Sequence, residues 1–148
     1  MKKLFIYFSN SGNGDLVKEK FEGFDIIKVE PKKAFPKSFF WLIMSGGFLA
    51  GVRSKTKLVE FNTDLSLYSE VVVGSPIWNA RIAPPINTVL SELDLTKKQV
   101  KFVFWSGSGE AKKAVARINK EYPNSKYVIL KEPKKYPVEL KKIGELND

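Results

Sequence analysis

Short runs of uninterrupted apolar residues alternate along this chain with segments of helical periodicity, and that alternation restricts the fold more than any other feature. Leu4-Phe5-Ile6-Tyr7-Phe8 lies between lysines and a Ser/Asn/Gly cluster. A run this short, with no polar alternate position, reads as a strand buried on both faces. Val71-Val72-Val73, residues 100–105 and residues 127–130 read the same way, and residues 26–29 give a weaker fifth. Between them, Ile86, Val89, Leu90 and Leu93, and then Ala111, Ala114, Val115, Ile118 and Tyr122, recur at helical spacing. Parallel neighbours need crossover segments, and doubly buried strands need cover on both sides. The pattern therefore predicts an α/β domain with about five parallel strands and helices on both faces. At 148 residues, 43% of them hydrophobic, the chain has length and apolar content for one such domain spanning 1–148. No repeat, linker or low-complexity tract divides it.

Two stretches stand outside this alternation. The connection between Glu30 and Val71 is long, and within it residues 39–52 are nearly uncharged. That run is too short to span a bilayer, which takes about 20 apolar residues, and it lacks the polar face of a surface-lying helix. It reads as a packed helix unwinding at Gly46-Gly47, followed by a loop or short strand around residues 57–61. Insertions of this length beside a sheet tend to be functional. After Leu130, Pro133 and Pro137 leave residues 138–146 for a short last helix.

The chain has no cysteine and no histidine. Disulfides, thiolate nucleophiles, iron–sulfur clusters, Cys/His zinc sites and serine–histidine hydrolysis are thereby excluded. Chemistry is left to Asp, Glu, Lys, Ser or Tyr, or to a bound cofactor. The net charge of +9 is spread over both halves rather than gathered into a basic stripe interleaved with aromatics. A solvated lysine surface that attracts an acidic protein partner is expected, with no specific nucleic acid and no membrane span. No secretory leader opens the sequence, which predicts a cytoplasmic protein, a monomer or weak dimer.

Three loops carry the residues of interest. The first strand runs into Ser9-Asn10-Ser11-Gly12-Asn13-Gly14, with a helix following from Asp15 or Leu16. A strand-to-helix turn of small residues lets backbone N–H groups and the Ser9 and Ser11 hydroxyls converge on a phosphate, although the same residues also make ordinary turns. No lysine lies in this loop. The Walker pattern is absent. A dinucleotide fingerprint is incomplete, because Val17 stands where the third glycine belongs. A phosphoacceptor receiver domain is excluded by Gly74-Ser75, where an aspartate would be needed. The third strand ends in Gly74-Ser75-Pro76-Ile77-Trp78-Asn79-Ala80, and Pro84-Pro85 open the next helix. Trp78, read as part of a rigid loop there, is suited to pack on a flat ligand. The fourth strand ends in Ser106-Gly107-Ser108-Gly109, whose small side chains would let the backbone approach a ring edge.

With these three loops in order, the sequence resembles the flavodoxins and flavodoxin-like proteins over nearly its whole length. Ser9, Ser11 and Gly12 match the family's phosphate loop of hydroxyl-x-hydroxyl-Gly-x-hydroxyl, while Gly14 stands where the last hydroxyl is usual. Residues 71–85 look like the Gly-Ser/Thr-Pro-x-Trp segment that borders the flavin ring, and residues 106–109 occupy the position of the second ring-flanking loop. The tyrosine that often stacks on the outer ring face has no counterpart in residues 106–110, which leaves the role to Trp78, alone or with a side chain from residues 39–52. The resemblance implies a three-layer sandwich with five parallel strands in the order 2-1-3-4-5 and FMN held noncovalently at the switch point by these loops.

The function so implied is electron transfer by a bound flavin. Two alternatives are an FMN-dependent NAD(P)H oxidoreductase acting on a quinone-like acceptor, and a flavin-free basic binding domain. Flavodoxins that carry electrons are typically acidic, so a charge of +9 predicts a less negative potential for the second one-electron reduction than in acidic relatives.

Overall fold

A computed structural model of the chain describes residues 1–35 and 55–147. The run at 39–52, with the helix expected there, lies outside the described residues. The elements in chain order are β1 (Lys2–Tyr7), α1 (Asn13–Lys18), β2 (Asp25–Lys28), β3 (Tyr68–Trp78), β4 (Arg81–Ile82), α2 (Pro84–Glu92), β5 (Gln99–Ser106), α3 (Lys112–Glu121), β6 (Lys126–Lys131) and a 3-10 helix, Pro137–Asn147. Five strands pair in parallel in the order β2-β1-β3-β5-β6. The two-residue β4 pairs antiparallel with the end of β3 and brings the strand number to six.

The period of two along each strand sorts the core into two halves. Leu4, Ile6, Val71, Val73, Phe102 and Phe104 pack with Ile86, Val89 and Leu90 of α2 and Ala114 and Ile118 of α3. Their neighbours Phe5, Tyr7, Val72, Val103, Trp105, Val128 and Leu130 face the other way, onto Val17, Phe21 and, from the 3-10 helix, Ile143 and Leu146. Phe5 anchors this second layer by stacking on Tyr7 at 5.1 Å and on Phe21 at 4.3 Å. The middle stretches of the central strands are therefore apolar on both faces, while Glu70 of β3 and Lys101 of β5 are buried as an ion pair. On the two edge strands Ile26 and Tyr127 are exposed, because an edge strand lacks a second neighbour.

Three boundaries differ from the sequence reading. α1 starts at Asn13, inside the loop assigned to Ser9–Gly14 by pattern. β3 does not stop at Val73 but continues to Trp78, because Ser75 and Pro76 pair with Phe104 and Trp105 of β5. β1 ends opposite Gly74, so beyond that point β3 has one parallel neighbour, and Pro76 is tolerated as at a sheet edge. The segment around 57–61, expected as a loop or short strand, is a loop with one isolated bridge, Pro31 with Leu58. The last helix is wound as 3-10 turns over Pro137–Asn147.

Candidate functional site

Connections leave the sheet in opposite directions on either side of β1 and β3, since β2 lies beyond β1 while β5 and β6 lie beyond β3. A crevice opens at the carboxyl ends of strands where the winding reverses in this way. The loops after β1, β3 and β5 end on that edge.

The first loop is fixed by its own side chains. Ser9 is buried, and its Oγ accepts a hydrogen bond from the Gly14 N–H at 3.0 Å. Asn10 and Ser11 are exposed, while Gly12 takes a left-handed φ of 90° at the cap of α1. Asn13 Nδ2 donates to Ser11 Oγ at 3.0 Å. Gly14 is there because nothing larger fits. A Cβ at that position would stand 2.7 Å from Ser9 Cβ, 2.8 Å from Tyr7 Cδ2 and 2.9 Å from Trp105 Cζ2.

Behind the loop, Tyr7 donates its hydroxyl to Asp15 Oδ1 at 2.6 Å, and Lys28 Nζ pairs with the same carboxylate at 3.0 Å. Burial first, and then the Asp15 bond, push the Tyr7 phenol well above its ordinary value. Burial also works to raise Asp15, but the bonds from Tyr7 and Lys28 outweigh it and hold the carboxyl below its usual range. The charged Asp15 thus ties the first turn of α1 to β1 and β2.

The second loop is a β-hairpin. Ile77 faces Ile82 and Trp78 faces Arg81, with Asn79 and Ala80 between them at φ of 51° and 64°. Two consecutive positive φ values define the tight turn whose twist matches that of the strands. Asn tolerates this region and Ala does not, so Ala80 carries backbone strain. The hairpin tip is held by the Ala114 N–H, which donates to the Ala80 carbonyl at 2.9 Å. Replacing Ala80 with Gly is expected to raise stability by about 0.5–1 kcal/mol. A thermal midpoint that falls in Ala80→Gly would show that the strain reading is wrong.

Ser75, expected beside a ligand, is fully buried. Its hydroxyl donates to the Pro76 carbonyl at 2.7 Å and accepts from the Ala83 N–H at 3.2 Å, so it secures the return of the hairpin into α2. Trp78 sits at the end of β3 rather than in a loop, half-buried, with its ring set edge-on to Phe8 at 5.7 Å and to Phe35 at 5.4 Å. Those two rings fix its plane.

In the third loop, Ser106 Oγ accepts from the Gly109 N–H at 2.9 Å, and Gly109 takes a φ of 79°. Gly107 and Ser108 are exposed. The loops meet one another: the Phe8 N–H donates to the Gly74 carbonyl at 3.3 Å, and Trp105, which precedes the third loop, lies under Gly14 of the first.

A fourth segment was not legible from the sequence. The turn after β6 brings the Lys134 N–H to Asn13 Oδ1 at 2.8 Å and Lys134 Nζ to the Ser11 carbonyl at 3.4 Å. The loop that contains no lysine therefore receives one from near the far end of the chain. Among the described residues no cluster of acidic side chains is arranged to hold a metal ion, and no helix is long and apolar enough to cross a membrane.

A doubly covered parallel sheet, with small-residue loops gathered where its winding reverses, defines a flavodoxin-like fold. The Flavodoxin family model matches residues 2–137, and the chain belongs to that family. It is similar to a flavoprotein of Bacteroides uniformis, at 25% identity over 88% of this chain and 90% of that one, with a TM-score of 0.73. A flavoprotein of Bacteroides eggerthii is 19% identical over 99% and 98% of the two chains, with a TM-score of 0.77. A flavoprotein of Lactobacillus acidophilus, solved in complex with FMN, is 17% identical over 99% of each chain, with a TM-score of 0.66. Among curated proteins none matches this chain.

Proposed function

We propose that the chain binds FMN noncovalently at the carboxyl edge of β1, β3 and β5 and serves as an electron carrier. The observation that carries this reading is the build of the first loop, in which Gly12 turns left-handed and Gly14 leaves no room for a side chain. Family membership and the FMN complex of the Lactobacillus relative support the same ligand.

The residues present fit a phosphate ester. Ser11 Oγ accepts from Asn13 and keeps its own hydrogen to donate, and Lys134 brings an ammonium to the same loop. Trp105, only 2% exposed, has an indole N–H without a hydrogen-bond partner among the described residues, and its Cζ2, two bonds from that nitrogen, lies under Gly14. Trp78 offers an aromatic wall, and the exposed Gly107 and Ser108 offer backbone at close range.

When bound, FMN supplies the one- and two-electron redox chemistry. The chain holds it, orients it and sets the surrounding charge. The loops contribute Ser, Asn, Gly, Pro, Ile, Ala and Trp, none of which titrates near neutrality, and this favours a carrier over a proton-transferring enzyme. A net charge of +9 favours the more negative states of the cofactor and an acidic redox partner.

The test is an absorbance titration of the purified chain with FMN, followed by anaerobic reduction in small steps. Flavin bands that shift on binding, reduction in two resolved one-electron waves and no rapid reduction by NAD(P)H are the expected results. Rapid reduction by a nicotinamide would replace the carrier with an oxidoreductase. No uptake of FMN would overturn the reading altogether.

A further inference from the structure

We infer that Lys134 is the counter-charge of the phosphate site and makes the chain select a phosphorylated flavin over an unphosphorylated one. The inference rests on the FMN reading above and adds to it a residue outside the three loops.

The turn that carries Lys134 is built tightly. The N–H groups of Lys135 and Tyr136 both donate to the Glu132 carbonyl at 2.8 Å, Pro133 between them is buried, and Glu132 adopts a positive φ of 30°. The Lys134 N–H then bonds Asn13 Oδ1, which joins this turn to the first loop across 121 residues of sequence. Lys134, exposed like Lys135 and Tyr136, lays its side chain along the first loop. Its Nζ reaches the Ser11 carbonyl at 3.4 Å and lies 3.7 Å from where a Cβ on Gly12 would stand.

An ammonium has three donors, and here one of them makes a single long bond. Among the described residues no carboxylate pairs with Lys134. Lys131 and Lys135 lie over the Tyr136 ring at 5.0 and 5.6 Å, and the Glu132 carboxylate, whose Oε1 is directed toward Gly107 of the third loop, makes no ion pair with Lys134. Ser11, Asn13, Glu132, Lys134 and Lys135 line an open surface hollow of about 400 Å³, in which two ammonium groups face one carboxylate. A cation held at a loop of hydroxyls and small residues, with donors to spare, suits a doubly charged phosphate, because charge-assisted bonds are about twice as strong as neutral ones. Riboflavin, which has the same ring and no phosphate, gains nothing from it.

The test compares FMN and riboflavin binding, by quenching of flavin fluorescence, in the unmodified chain, Lys134→Met and Lys134→Arg. Methionine keeps the apolar stem and the backbone bond to Asn13 and removes only the charge. The expected result is about tenfold weaker FMN binding in Lys134→Met, unchanged riboflavin binding, and recovery in Lys134→Arg. The difference between the first two proteins should shrink as salt is raised from 0.01 to 1 M, where the screening length falls from about 30 Å to about 3 Å. Equal weakening of both ligands would assign Lys134 a purely structural role and overturn the inference. FMN binding unaffected by Lys134→Met would overturn it too, while leaving the flavin reading intact. An unmodified chain that takes up no FMN would remove both.

Discussion

Lys101→Met is expected to destabilise the fold by about 3–5 kcal/mol, enough to lower the thermal midpoint by roughly 10 °C. Lys101 Nζ lies 2.8 Å from Glu70 Oε1, and the two side chains are 8% and 6% exposed. They come from adjacent central strands, where Lys101 is paired in register with Val72 and Glu70 with Gln99, so the ion pair runs diagonally across β3 and β5. On that face each is two residues from an apolar neighbour, Val72 and Val103, which belong to the second half of the core. Removing the ammonium takes away what is, among the described residues, the one counter-charge within 4 Å of a buried carboxylate; the next cation along the ladder is Lys3, in register with Glu70 on β1. The penalty is the desolvation of that carboxylate rather than the worth of the pair. The double substitution Lys101→Met with Glu70→Leu should therefore recover most of the loss. Urea unfolding of the two single variants and the double variant separates these contributions. A single variant within 1 kcal/mol of the parent would mean that the pair is solvated, as surface pairs are.

This ion pair also marks a limit of what could be read from the sequence. Lys101 interrupts an otherwise apolar run and resembles the other lysines that flank strands. Its burial depends on Glu70, more than thirty residues away, and no local pattern announces such a partnership. The central strands were legible for the opposite reason: Leu4, Phe5, Ile6 and Tyr7 are all buried, so composition alone reports their place. The continuation of β3 past Val73 was not, because Gly74, Ser75 and Pro76 have poor strand propensity and are held extended by Phe104 and Trp105 across the ladder. Likewise Asn79 and Ala80 lack the glycine that would have signalled a two-residue hairpin.

At the site, the order of the three loops was readable because small residues after strands are a local signal. Their use was less so. Ser9 and Ser75 carry hydroxyls that pattern assigns to a ligand; Ser75 both donates to and accepts from backbone, at Pro76 and Ala83, while Ser9 accepts from the Gly14 N–H and keeps its hydrogen to donate. Lys134 had no signal beyond its membership of a lysine-rich turn, since its contact with Asn13 exists only once β6 has been laid beside β5.

Gly14→Ser, which would restore the hydroxyl usual in the family's loop, is expected to weaken the protein rather than improve it. The new Cβ would lie under 3.0 Å from atoms of Ser9, Tyr7 and Trp105, all of them buried. None of the three can easily retreat. Tyr7 is stacked on Phe5 and bonded to Asp15, Trp105 is packed in the second half of the core, and Ser9 holds the Gly14 N–H itself. Overpacking of this kind costs about 1–3 kcal/mol, and the simplest relief is for α1 to move away from β1. That movement would open the Ser9–Gly14 bond and carry Asn13 away from Lys134, so FMN affinity should fall together with the thermal midpoint. Trimming the indole in Gly14→Ser with Trp105→Phe removes one of the three clashes and should return part of the affinity. Gly14→Ser that binds FMN more tightly than the parent, at an unchanged midpoint, would show instead that the loop has slack and that the missing hydroxyl is a true loss. The expected outcome is the reverse, with Gly14 required by the approach of helix to strand and the phosphate charge met from Lys134.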